Sequence, residues 1–138
     1  MSNSKIKLNI ITPTKTAFSD EGIDNVVIPT TSGEITVLPN HIPLVSSIKV
    51  GEIRIHKDGQ IIPLAISGGL LEVRKDSELV ILAESSELAR EMNVEQIQAA
   101  YDRAVEAMNE PLDTQGDMSR ERSLEIELNR LNIAKKWR

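Results

Sequence analysis

The apolar residues of this chain change their spacing once, near residue 84, and that change constrains the fold more than any other feature. From residue 5 to about 84 the period is two. Ile6, Leu8 and Ile10 alternate with Lys5, Lys7 and Asn9, Ile35 and Val37 alternate in EITVL, and Ile53 and Ile55 alternate in GEIRIHK. Glu78 to Glu84 forms a shorter, more continuous apolar run. Alternation sets one face of a strand on a core and the other in water. Turn signals separate these runs: TSGE at 31–34, Asp58-Gly59 within HKDGQ, and RKDSE at 74–78. Short strands joined by tight turns, with no helix between them, predict an antiparallel β-sandwich or flattened barrel.

Beyond Glu84 the period becomes helical. Asn93 and Gln96 fit a capping box, and Ile97, Ala100, Tyr101, Ala104, Val105 and Met108 then fall on one stripe. Pro111 and Gly116 break the pattern within EPLDTQGD, and a second helix is expected from Asp117 or Ser119. This helix carries two stripes: Leu124, Leu128 and Leu131 on one side, and Ile126, Ile133 and Trp137 on the other. One stripe can pack on the first helix. The other needs a second surface, either the strand domain or another protein, and an exposed Trp137 among basic residues favours a partner. The chain therefore divides into a sandwich over 1–85 and a two-helix unit over 86–138. A hairpin so short buries little by itself, so its stability depends on docking, and more than one docked arrangement is physically accessible.

Charge is uneven along the chain. Residues 119–138 hold six basic residues (Arg120, Arg122, Arg130, Lys135, Lys136, Arg138) against Glu121, Glu125 and Glu127. With −5 overall, that +3 end leaves −8 on the remainder. Such an end calls for an acidic partner, or serves solubility. An acidic body argues against nucleic acid, and Phe18, Tyr101 and Trp137 are too few rings for a stacking platform. There is no cysteine, hence no disulfide framework or thiolate chemistry. MSNSKIKLNI lacks the apolar stretch of a signal peptide, and no apolar run approaches the ~18 residues of a membrane span. A soluble intracellular chain is the expectation.

Two strings invite a chemical reading. VLPNHIPLV places His41 between Pro39 and Pro43, and ISGGLLEV puts Gly68 and Gly69 inside a strand beside Ser67. The nucleophile elbow, G-x-S-x-G, is absent, and so are the Walker and G-x-G-x-x-G patterns. Catalytic zinc commonly takes three protein ligands, and only His41 and His56 are available as histidines. The glycines suit a bulge or a close backbone approach. The prolines stiffen a loop that displays Asn40 and His41. A display loop for recognition and a small β-sandwich enzyme or metal-binding module centred on His41 both stand at this point.

The order ITPTKTAFSDE, SGEITVLPNHIPLV, VGEIRI, LAISGGLLEV, LVILAESSE and then two helices resembles the epsilon subunit of bacterial F-type ATP synthase across nearly the whole chain. The resemblance implies a sandwich of about ten antiparallel strands followed by a C-terminal α-helical hairpin. It implies no catalytic residues, no metal and no required cofactor. It also implies a rotor role in the central stalk, bound to the gamma subunit and the c-ring and coupling ion-driven rotation to ATP synthesis in the alpha/beta head. Membrane association then comes only through the complex, peripheral on the cytoplasmic face of the bacterial cell membrane. In this family the hairpin is permissive when folded on the sandwich and blocks ATP hydrolysis when extended along gamma into the head.

Carried over by residue, Glu34 matches the family's c-ring glutamate, and His41 with Pro43 falls on the gamma-facing loop. Asn40 stands where the family has glycine, a change that Asn tolerates at positive φ. Arg120, Arg122, Lys135 and Lys136 belong to the basic helix that resembles the family's head-contacting, inhibitory one. Some members bind ATP in the folded hairpin. Here Asn93, Gln96 and Ile97 in MNVEQI replace that motif's aspartate, arginine and alanine, while Arg103 and Arg130 match later arginines. A lost charged phosphate contact removes roughly 1.5–3 kcal/mol, so ATP binding is expected to be weak or absent.

Overall fold

The computed structural model describes residues 4–111 and 117–137. Strands occupy the period-two part: β1 (Ile6–Ile11), β2 (Thr16–Ile23), β3 (Asn25–Thr30), β4 (Gly33–Val37), β5 (Leu44–Lys57), β6 (Gln60–Arg74), β7 (Glu78–Ala83) and β8 (Ser86–Leu88). They pair in the order β2-β1-β7-β6-β5-β3-β4, with β8 on β6. The alternating residues face inward as expected. Ile6, Leu8, Ile10, Ile53, Ile55, Leu79 and Ile81 are all 1% exposed or less, and the core is built from Ile, Leu, Val and Ala, with Phe18 only at its margin. The turns follow their chemistry: Asp58 and Gly59 take φ of 50° and 79° between β5 and β6, and Asp76 and Ser77 take 62° and 59° between β6 and β7. Positive φ at both Asp58 and Gly59 matches the twist of a two-residue hairpin, whereas the β6–β7 loop has three residues between the paired Arg74 and Glu78.

The strands are fewer and longer than the turn spacing suggests. β5 and β6 run 14 and 15 residues and pair along nearly their whole length. β6 pairs with β8 through Leu64–Ile66 and with β7 through Gly69–Arg74. Among the described residues there are thus eight strands where about ten were expected, because β6 changes its neighbour part-way along instead of ending. The change of neighbour falls at Gly68 and Gly69, whose φ values are 116° and 154°. A Cβ on Gly69 would overlap the carbonyl oxygen of Leu82. The glycines of ISGGLLEV therefore let one strand bend across the sandwich, and no nucleophile turn is formed.

One pair departs from the antiparallel expectation. β1 runs parallel to β7, in register from Lys7 opposite Glu78 to Ile11 opposite Leu82. Only a hairpin forces antiparallel pairing; strands remote in sequence are free to pair either way. Here β1 covers what would be the free edge of β7.

The sheet continues past residue 85, since β8 reaches Leu88 and a 3-10 turn follows at Ala89–Glu91. α1 spans Val94–Met108, and the Asn93 side chain accepts from the Gln96 backbone N–H at 3.0 Å, the predicted cap. α2 spans Asp117–Lys136. Of the predicted linker, residues 112–116 lie outside the described residues, as does Arg138.

The two stripes of α2 face two surfaces. Leu131 and Ala134 pack with Ile97 and Tyr101 of α1. Ile133 and Trp137 pack on Ala65 of β6 and on Ala89. The second surface is thus the chain's own sandwich. Trp137 is half-buried there with its indole N–H donated to Glu52, which corrects the expectation of an exposed tryptophan awaiting a partner.

Candidate functional site

The outer faces of the two layers are dressed differently. α2 lies over the face formed by β5 and the first half of β6. The opposite outer face, across β1, β7 and the second half of β6, carries an apolar row. Ile11 stands opposite Leu82, and Leu82 opposite Leu70. The next row along is Asn9, Val80, Glu72 and Val45. Val45, Leu82 and Leu70 are 67%, 52% and 48% exposed. They line a shallow groove of about 490 Å³. Strands with one solvated face read as polar-out, so apolar side chains at outward positions of four neighbouring strands mark a face that awaits cover.

The proline-stiffened loop adjoins this face. Asn40 takes φ 64°, the left-handed conformation that glycine or asparagine accepts. Its backbone N–H donates to Ser77 Oγ at 2.8 Å, and Ser77 Oγ donates to Asn40 Oδ1 at 3.3 Å. The loop is thereby pinned to the β6–β7 turn. His41 is half-buried; its backbone N–H donates to Leu38 O at 3.2 Å, and its Nδ1 donates to Ile42 O at 2.7 Å. Leu38, Ile42 and Pro43 are exposed around it, and the chain then enters β5 at Leu44, one residue before Val45. Glu34 lies at the other end of β4, exposed, with Arg54 Nη2 3.3 Å from its Oε1. The structure therefore separates Glu34 from His41 and Pro43 by the length of a strand.

The basic residues of α2 engage the molecule's own acceptors. Arg120 donates to the carbonyls of Ala107 and Glu110 and closes the end of α1. Arg122 donates to Glu84 and, at 3.0 Å, to Ser67 O at the glycine bend. Arg130 pairs with Glu87 at 2.8 Å and Glu127 at 2.6 Å. Asn129 Nδ2 donates to Gly51 O at 2.9 Å. Lys136 donates to Glu52 Oε1 at 2.9 Å. Lys135 is exposed and makes no ion pair or hydrogen bond among the described residues. Sequence reasoning sought an acidic partner elsewhere and missed Glu52, Glu84 and Glu87. A signal was present in Glu52, an outward position of an alternating strand lying in the acidic part of the chain.

Glu52 is the most enclosed of these carboxylates, its side chain 12% exposed. Burial pushes its carboxyl up, but hydrogen bonds from Lys136, Trp137 and Arg54 outweigh burial and hold it below the usual glutamate range. For Arg130, burial works against the charge, and Glu87 with Glu127 more than restores it.

Arg103 and Arg130 do not converge. A cleft of about 580 Å³ between α2 and β6–β8 is lined by Arg130 together with Glu87, Glu91 and Glu127; Arg103 is exposed on α1 and absent from that lining. Among the described residues no group of three or more His, Asp or Glu is placed to hold a metal ion, and no helix is long and apolar enough to cross a membrane.

Residues 5–89 match the family model described as the ATP synthase, Delta/Epsilon chain, beta-sandwich domain. The chain is 40% identical to the ATP synthase epsilon chain of Bacillus subtilis strain 168 over 131 residues, 95% of this chain and 98% of that one. It is 41% identical to the ATP synthase epsilon chain of Desulforamulus reducens over 103 residues, 75% of this chain and 76% of the relative. In shape it resembles a chain of the Euglena gracilis mitochondrial ATP synthase OSCP/F1/c-ring structure. The TM-score is 0.77 at 23% identity, covering 91% of this chain and 79% of the other. At that identity the likeness speaks for the fold.

Proposed function

Because the chain belongs to the ATP synthase epsilon-chain family, we propose that it is a non-catalytic rotor subunit in which the sandwich binds and the helical hairpin regulates. The observation that carries this reading is the unequal dressing of the sandwich. One outer face is covered by the chain's own α2, while the other leaves Ile11, Val45, Leu70 and Leu82 uncovered beside the His41 loop. The gamma subunit occupies that open face, with His41 and Pro43 at its margin. Glu34, at the far end of β4, faces the c-ring. The subunit couples rotation of the ring to ATP synthesis in the alpha/beta head, and it lies on the cytoplasmic face of the membrane only as part of that complex.

α2 carries the regulatory role. In the docked state Arg122, Arg130 and Lys136 are paired with Glu84, Glu87 and Glu52. Undocking frees these cations, and opening of the hairpin frees Arg120, to join the already exposed Lys135 in meeting acidic groups of the head and blocking hydrolysis. A ligand or partner shifts such an equilibrium only by its differential affinity for the two states. ATP binds the docked hairpin weakly or not at all, since the cleft sets three carboxylates against two cations, Lys15 and Arg130, and Arg130 is already paired with Glu87 and Glu127. Isothermal calorimetry on the isolated chain should give no ATP affinity tighter than about millimolar, ~4 kcal/mol, and a tighter one refutes this reading.

The deciding experiment is co-purification with gamma. Val45→Asp and Leu82→Asp, both at exposed positions, leave the sandwich folded and abolish co-elution. Removal of residues 93–138, which spares β8, retains co-elution and raises hydrolysis by the assembled head. Binding that survives both aspartates refutes the assignment of the open face.

A further inference from the structure

Four charged side chains alternate in sign across the sandwich face that carries α2. Glu34 Oε1 lies 3.3 Å from Arg54 Nη2, and Arg54 Nη1 lies 3.1 Å from Glu52 Oε1. Lys136 Nζ lies 2.9 Å from that same Oε1, while the Trp137 indole N–H takes Oε2. Lys136 also stacks over the Trp137 ring, 5.2 Å from its centroid. We propose that this row couples Glu34 to the docked end of α2, so that a partner group engaging Glu34 loosens the hairpin without touching it.

The direction follows from the shared oxygen. Arg54 and Lys136 both donate to Glu52 Oε1. With Glu34 in place, the charge of Arg54 is balanced from its other side, and Glu52 holds the last turn of α2. Without that balance two cations compete for one carboxylate, and the weaker tether is the mobile one. Lys136 is 55% exposed on a long side chain, whereas Arg54 is fixed on a strand and 26% exposed. Neutralising Glu34, or drawing it toward a cationic side chain of a partner, therefore favours release of Lys136 and Trp137. Apolar groups stand beside this carboxylate: Ala65 lies opposite Glu52 on β6, and Trp137 packs on Ala65 and Ala89.

The coupling within the chain is independent of any partner. Its use in the complex rests on the reading that Glu34 faces the c-ring. The test is accordingly made on the isolated full chain. Native-state hydrogen exchange is followed at the Trp137 amide, which bonds to Ile133 O, with acrylamide quenching of Trp137 as the second readout. Trp137 is the sole tryptophan, so its fluorescence needs no deconvolution. Glu34→Gln raises exchange about two- to five-fold, the range of one partly exposed ion pair, and moves quenching in the same direction. In an Arg54→Met background the same substitution changes nothing further, because the link is gone. Amides of β1 and β7 keep their protection in every variant, which separates undocking from unfolding. An unchanged Trp137 signal in Glu34→Gln, or an equal response with Arg54 absent, overturns the coupling. Either result leaves the c-ring assignment of Glu34 to its own test, the coupling efficiency of Glu34→Gln in the assembled synthase.

Discussion

Ile133→Ala separates docking of the hairpin from its internal packing. Ile133 is 4% exposed and meets Ala65 and Ala89 of the sandwich, whereas its neighbour Leu131, 5% exposed, meets Ile97 and Tyr101 of α1. Truncating Ile133 removes about three carbon groups at ~0.8 kcal/mol each, near 2.4 kcal/mol before any cavity term. A helix resting on a sheet can settle into the gap, so the total stays toward the low end of the ~2–5 kcal/mol range for such changes. At 1.4 kcal/mol per decade, a loss of about 2–3 kcal/mol multiplies the undocked population roughly 30- to 150-fold. That loss falls on a local equilibrium, because among the described residues the main core cluster includes none from the helices. Hydrogen exchange at α2 amides should accelerate by that factor while β1, β6 and β7 remain protected. Leu131→Ala gives a different signature, loosening α1 and α2 from each other. Equal acceleration of exchange in helix and sheet would refute the claim that the hairpin opens as its own unit.

Three other outcomes follow from individual residues. Gly69→Ala brings a Cβ against the Leu82 carbonyl at a φ of 154°, so the bend in β6 fails; a loss of ~3 kcal/mol or more, read by thermal denaturation, is expected. Asn93→Ala removes the acceptor for the Gln96 N–H and costs about 1 kcal/mol, seen as faster exchange in the first turn of α1 with the sandwich unchanged. Glu52 is held below its ordinary value of 4.5 in the docked state, so its contribution is complete above that pH and disappears as pH falls through the depressed value. Trp137 emission should therefore shift to the red on acidification below about pH 4.5, and Glu52→Gln should abolish the titration and start from the shifted emission.

The strands and helices were readable because each is locally consistent. Period-two runs, Asp58-Gly59 and the Asn93 cap all act within a few residues, and each appears where its pattern places it. The length of β5 and β6 was not readable, since a strand that bends between layers looks like two strands with a glycine-rich break. Nor was the parallel pairing of β1 with β7, which joins residues about 70 positions apart with no connecting pattern. The open apolar face did leave a trace. In LVIL the outward residues Val80 and Leu82 are as apolar as the inward Leu79 and Ile81, which is how a strand covered on both faces reads. The partners of the basic helix left almost none, because ion pairs between segments 38 to 84 residues apart carry no spacing rule.

The division of labour between the two parts follows from where burial is concentrated. Among the described residues the main core holds 17 buried ones, all from strands, so the sandwich has no need of the hairpin to stay folded. The hairpin has no such core. Its hold on the sandwich is a small apolar contact around Ile133 and Trp137, reinforced by Glu52, Glu84 and Glu87. Partly exposed ion pairs of this kind contribute little each, ~0–1 kcal/mol, and weaken with salt. Their value lies in selectivity. A surface that competes for α2 must offer an apolar strip for Ile133 and Trp137 and carboxylates at the spacing of Arg122, Arg130 and Lys136, because leaving those cations unpaired against a low-dielectric surface is costly. Most apolar grooves fail the second requirement and most acidic patches fail the first. The weakness of each contact makes release accessible, and the combination of contacts restricts where the released helix can settle.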